Sequence, residues 1–163
     1  MGKPHHRGGP PPNISDEDLR TEGRILIQNA CKARNITEPL LDSIYSNRAD
    51  VADINWACYM ISQSIEIALK GLIKYHYELF REGHFVAHNA KLLESLSEKI
   101  PELREISGTL SDLQTGYSVM LCRWAALGRY KELYVTKEDI QKADELLDDI
   151  IKFLRRHHYD SES

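Results

Sequence analysis

The chain has 163 residues, 42% hydrophobic and 28% charged, which suits one globular domain able to bury about 70% of its unfolded surface. A net charge of −4 excludes a global basic field for nucleic acid and leaves room only for a local basic patch. No apolar run approaches the ~20 residues of a membrane helix, and "MGKPHHRGGPPPN" lacks the hydrophobic core of a secretory leader.

Residues 1–13 hold three consecutive prolines, glycines and basic groups, a composition that predicts a disordered arm. The chain opens with Met-Gly, but His6 stands where myristoylation asks for Ser or Thr. Ser15 then caps "SDED", and Leu19, Gly23, Leu26, Ile27, Ala30 and Ala33 predict a first helix over 16–34. Asn35 and Pro39 break the pattern, with a short helix expected near 37–46.

A second, long helix is expected from Asp50 or Asp53 to about Glu82, ended by Gly83. Ile54, Ala57, Ile61, Ile65, Ala68, Leu72 and Leu79 form its main stripe, and Trp56, Met60 and Ile67 form a second apolar strip. A helix apolar on two sides is the centre of a bundle. "FVAHNAKLLESLSEKIP" predicts a third helix stopped by Pro101. Leu103, Ile106, Leu110, Leu113, Tyr117, Leu121 and Trp124 predict a fourth over 102–126. "LGRYKELYV" leaves the helical pattern. Thr136 opens "TKED", a capping box, and Ile140, Ala143, Leu147, Ile150 and Leu154 carry the last helix to about 156.

Residues 157–163 are expected to fray as a disordered tail. The expected fold is all-α, an up-and-down bundle of five main helices within one domain over 14–156. Cys31, Cys58 and Cys122 are odd in number and widely spaced, each in an apolar helical pattern. They predict buried free thiols in a reducing compartment, hence a cytoplasmic protein.

The long helix carries a charged seam opposite the Ile61 stripe: Gln63, Glu66, Lys70 and Lys74. Glu66 and Lys70 stand four apart with the acid first, the favoured order for a helical ion pair. A solvated face accounts for such a line. Trp56, Met60 and Ile67 beside it point instead to an interface or a cleft. His84 and His88 in "HFVAH" have the spacing of a helical zinc pair, but Gly83 intervenes and no third ligand completes a known set; His88 with Asn89 better fits a cap for the third helix. No metal and no cofactor is expected. "RWAALGRY" places Arg123 and Arg129 with Trp124 and Tyr130 at the end of the fourth helix. A guanidinium there can fork onto phosphate or carboxylate, or pin the loop to the bundle.

"DINWACYMISQSIEIALKGLIKYH", then "HNAKLLESL", then "RY" and a final amphipathic helix together resemble the HEPN domain, a nucleotide-binding family of higher eukaryotes and prokaryotes. Asp53, Ala57, Gln63, Glu66, Ala68, Leu69 and Lys70 resemble the motif of the family's long helix, with the glutamine one place nearer the glutamate. His88, Asn89, Leu92 and Leu93 resemble the next motif, and Arg129 and Tyr130 the last, so that the likeness covers about 50–156.

The resemblance implies a helical bundle that commonly forms homodimers, in some members a ribonuclease with an Arg-x(4–6)-His signature, and in some a toxin beside a small nucleotidyltransferase. Here Arg123 is followed by Gly128, Arg129 and Tyr130 at the histidine places, and only Arg81 to His88 meets the spacing, across a different loop. The resemblance thus implies a non-catalytic HEPN module in which Glu66, Lys70, Lys74, His88, Arg123, Arg129 and Tyr130 bind a nucleotide or phosphate at a dimer cleft. The alternatives are a metal-independent ribonuclease toxin and a protein-interaction adaptor docking through Trp56 and Met60.

Overall fold

The computed structural model describes residues 15–76, 86–128 and 133–161. The expected arm over 1–13, the stop at Gly83 and the loop residues Arg129 and Tyr130 lie outside them. Among the described residues there are six α-helices, one 3-10 helix and no strand, in an all-α bundle.

Helix α1 spans Asp16–Tyr45 as one element. Ser15 caps it by accepting from the Asp18 amide at 3.1 Å, with Asp16, Glu17 and Asp18 in the first turn where the helix dipole favours acids. The break expected at Asn35 and Pro39 does not occur. Leu19, Gly23, Ile27, Ala30, Thr37, Leu41 and Ile44 stay buried at helical spacing past the proline. Thr37 supports the turn by donating to the Ala33 carbonyl at 2.7 Å. Pro39 and Asn35, whose carbonyl loses its partner, both lie on the exposed face where water can serve it. Burial of the inner stripe outweighs the one lost backbone bond.

Asn47, with φ of 61°, turns the chain into α2, Val51–Tyr75. Asp50 and Asp53 close a reciprocal cap at 2.8 and 3.2 Å. The predicted stripe is the core of the molecule: Ala57, Ile61, Ile65, Ala68 and Leu72 are wholly buried, together with Leu69 and Ile73. Helix α2 contacts α1, α3, α5 and α6 and is the bundle's central element. Its closest approach is to α1. A Cβ on Gly23 would lie 2.5 Å from the Tyr75 amide nitrogen and 2.6 Å from the Gly71 carbonyl oxygen, and one on Gly71 would lie 2.9 Å from the Gly23 carbonyl oxygen. The two backbones touch, which is what these glycines permit.

Helix α3 spans Val86–Leu96. The single helix expected over 102–126 is instead three pieces: a 3-10 helix Pro101–Ile106, α4 Ser107–Asp112 and α5 Gly116–Leu127. Serine, threonine and glycine crowd the joints, and the hydroxyls of Thr115 and Ser118 donate to nearby backbone carbonyls at 3.1 and 2.8 Å. The apolar spacing survives the breaks, since Leu103, Ile106, Leu110, Leu113, Leu121 and Trp124 are all buried.

Helix α6, Lys137–Arg156, begins at the predicted Thr136–Asp139 capping box. Its residues Ile140, Ala143, Leu147, Ile150 and Leu154 enter the core, and Asp144 meets Arg34 of α1 at 3.0 Å.

The tail does not fray over 157–161. His158 takes a left-handed φ of 58° and reverses the chain, and Tyr159 folds back until it is 3% exposed. Its hydroxyl lies 2.8 Å from His76 Nε2, its ring meets Tyr75 edge-on at 4.7 Å, and Gln28 donates to the Asp160 carbonyl at 2.9 Å. His157 reaches Glu102 at 3.4 Å and also Glu105. Burial and the Glu102 carboxylate hold the Tyr159 phenol well above its usual range.

Burial lowers the pKa of His76; the nearby Glu102 opposes this and Arg20 reinforces it. The neutral ring is therefore the folded form. Unfolded chain takes up the extra proton first as pH falls below about 6.5, so this contribution is present above that pH and is lost on acidification. We expect the melting temperature to fall between pH 7.5 and 5.5, and His76→Gln to flatten that slope. An equal slope in both proteins would remove His76 as its source.

A half-buried charged seam on the central helix

The outer side of α2 carries Gln63, Glu66, Lys70 and Lys74, opposite Ile61, Ile65 and Leu72, as the helical period requires. None of the four is fully exposed. Helix α1 lies along one edge through Gly71, and α5 rests on the other. A Cβ on Gly128 would lie 3.2 Å from both the Asn55 carbonyl oxygen and the Tyr59 side chain.

Within this seam the expected Glu66–Lys70 pair is not formed; among the described residues neither side chain has an ion-pair partner. The lysine that does pair is Lys74, which reaches Glu22 of α1 at 3.6 Å. Such partly exposed pairs are worth about 0–1 kcal/mol, too little to dictate which of them closes. Glu22 was not legible as a partner, since only the α1–α2 crossing brings it there.

Arg123 and Trp124 are consecutive on α5, about 100° apart around it: Trp124 enters the core and Arg123 is exposed. His88 is exposed in the first turn of α3, with Asn89 and Ala90 wholly buried behind it. Arg129 and Tyr130 fall outside the described residues, but both flanks of their segment are anchored at one place. Gly128 sits against Asn55, and the Leu133 amide donates to Asn55 Oδ1 at 3.2 Å. Asn55 and Tyr59 are thus positioning residues that the sequence pattern did not single out. At 1.5 Å per residue Asn55 stands about 16 Å along the axis from Glu66 and Tyr59 about 10 Å.

Trp56, on the second apolar strip, is 50% exposed and meets Tyr59 edge-on at 5.9 Å. Met60 and Ile67 are half-buried. A pocket of about 180 Å³ lies at the α1–α2 turn, lined by Ile44, Ala49, Ile54, Val135 and Ile140, and it includes no residue of the seam. Cys31 and Cys58 are buried, and burial pushes the Cys58 thiol up to about 12. Cys122 departs from the expectation: it lies exposed on the outer side of α5. Among the described residues no three His, Cys, Asp or Glu side chains converge as metal ligands, and no helix is long and apolar enough to cross a membrane.

An all-helical bundle with its motif-bearing helix at the centre, and a charged line on that helix's outer side, defines the class. The HEPN domain family matches residues 41–157, from the last turn of α1 to the end of α6, and the chain belongs to that family. At the level of the family it is a nucleotide-binding or ribonuclease-like module, and such domains commonly dimerise. Neither a curated protein nor a solved structure shows significant similarity to the chain.

Proposed function

We propose that the protein is a non-catalytic HEPN module that binds a nucleotide or another phosphate-bearing anion on the α2 seam, as a homodimer. The observation that carries this reading is Lys70: half-buried, one turn from Glu66, and without a carboxylate partner among the described residues. A cation held in partial burial and not neutralised gains most from an arriving anion, because charge-assisted bonds are about twice as strong as neutral ones. Lys74 is partly spent on Glu22. Arg123, and Arg129 from the segment between Gly128 and Leu133, complete the cationic set.

The non-catalytic part rests on Gly128, Arg129 and Tyr130 standing where a histidine would serve as general acid or base after Arg123. Calorimetric titration with nucleotides is expected to show binding that Lys70→Ala weakens about tenfold, the ~1.4 kcal/mol of one charged hydrogen bond. The same protein is expected to leave RNA uncut. Absence of binding at millimolar nucleotide would return the seam to an ordinary solvated face. Cleavage abolished by His88→Ala would overturn the non-catalytic reading.

A further inference from the structure

Tyr75, the last residue of α2, carries two guanidinium groups over its ring. Arg20 Cζ is 5.2 Å from the ring centroid and Arg24 Cζ is 6.0 Å from it. The α1–α2 contact puts them there. Gly23 lies against the Tyr75 amide, so the residues three before it and one after it straddle the ring. The ring is itself held, because Tyr159 meets it edge-on at 4.7 Å.

Like charges one helical turn apart repel, and the face of a tyrosine ring offsets only part of that. Arg24 is half-buried, and its Nε is buried with no hydrogen-bond partner. Among the described residues no carboxylate pairs with it. A buried donor left unsatisfied costs stability. The acids of the region are engaged elsewhere. Glu22 pairs with Lys74 and stands about 200° around α1 from Arg24. Glu102 meets His157. Asp160 lies near Cys31 in company with Arg155, two turns further along α1.

We propose that Arg20 and Arg24, held over Tyr75, form a phosphate-binding site separate from the seam. A guanidinium fork matches the spacing of phosphate oxygens. A phosphate monoester brings up to two charges and three free oxygens, enough to accept from both forks at once, where one carboxylate would neutralise a single arginine. The seam is on the other side of the helix crossing, the side on which Lys74 reaches Glu22. Both arginines precede residue 41, where the match to the family begins, so this site belongs to the chain's own first helix.

The test follows the arginine Nε–H resonances of the full chain during titration with inorganic phosphate at constant ionic strength. The Arg24 signal, assigned by its loss in Arg24→Met, is expected to move in Lys70→Ala as it does in wild type. Arg24→Met keeps an apolar stem against Tyr75 and removes an unpaired charge. It is expected to melt no lower than wild type without phosphate, and to bind phosphate at least about tenfold more weakly. Arg24→Lys keeps the charge without the fork and is expected to recover only part of the binding. Adenosine 5′-monophosphate is expected to bind more tightly than single-stranded RNA with hydroxyl ends; the reverse order would keep the site and assign it to a backbone diester. An Arg24 signal that stays still at millimolar phosphate, or that chloride moves as far, would overturn this site and leave the seam reading intact. A shift that vanishes in Lys70→Ala would place the phosphate on the seam and overturn a separate site. Lower melting of Arg24→Met with undiminished phosphate binding would reduce Arg24 to a structural stack on Tyr75.

Discussion

Gly23→Ala is expected to destabilise the protein by about 3 kcal/mol, the upper part of the usual overpacking range. The added methyl would meet backbone, the Tyr75 nitrogen at 2.5 Å and the Gly71 carbonyl at 2.6 Å, and backbone cannot swing aside as a side chain can. Only separation of α1 from α2 relieves the clash. That loosens the contact holding one edge of the seam, where Lys74 reaches Glu22. At ~2–4 °C per kcal/mol for a domain of this size, the melting temperature is expected to drop about 6–12 °C. Gly108→Ala is the control, because a Cβ there meets nothing within 4 Å. Equal melts for the two variants would show that the helices are not in backbone contact at Gly23.

Tyr159→Ala is expected to cost about 3–5 kcal/mol, the loss that accompanies truncation of a buried aromatic. A frayed tail would make the same change neutral, so the measurement separates the two descriptions of residues 157–161. Tyr159→Phe keeps the ring against Tyr75 and Phe153 and removes only the hydroxyl. It leaves His76 Nε2 without its partner and is expected to cost about 1–3 kcal/mol. Thermal melts of the three proteins should rank wild type, Phe and Ala in that order. An Ala variant as stable as wild type would release the tail from the bundle.

The seam was legible because it lies on one helix. Gln63, Glu66, Lys70 and Lys74 share a face by the helical period alone, and the burial of Ile61 and Ile65 on the other side follows from the same period. The partners of the seam were not legible. Glu22 reaches Lys74, and Asn55 anchors both flanks of the loop bearing Arg129, through contacts between helices. The expected Glu66–Lys70 pair failed for a related reason: an energy near 1 kcal/mol at a half-exposed site is easily overridden by rotamer choice. Cys122 followed the apolar pattern of its neighbours yet faces outward, because α5 is apolar on both sides and its spacing names no inner face.

By itself the sequence determined the starts of helices, the core stripe and the family. Ser15, Asp50 and Thr136 cap their helices through groups three residues away, and interactions that local survive whatever the rest of the chain does. Tertiary structure decided what depends on distant groups. Pro39 stays within α1 because the stripe from Leu19 to Ile44 is buried against the bundle, which outweighs the local cost of the proline. The stretch 101–127 divides because its serines, threonines and glycines bend the chain to follow the core, while the buried spacing, which reports direction but not straightness, persists. Tyr159 docks because His76, 83 residues earlier, ends α2 at the same corner, and no window of local sequence contains both.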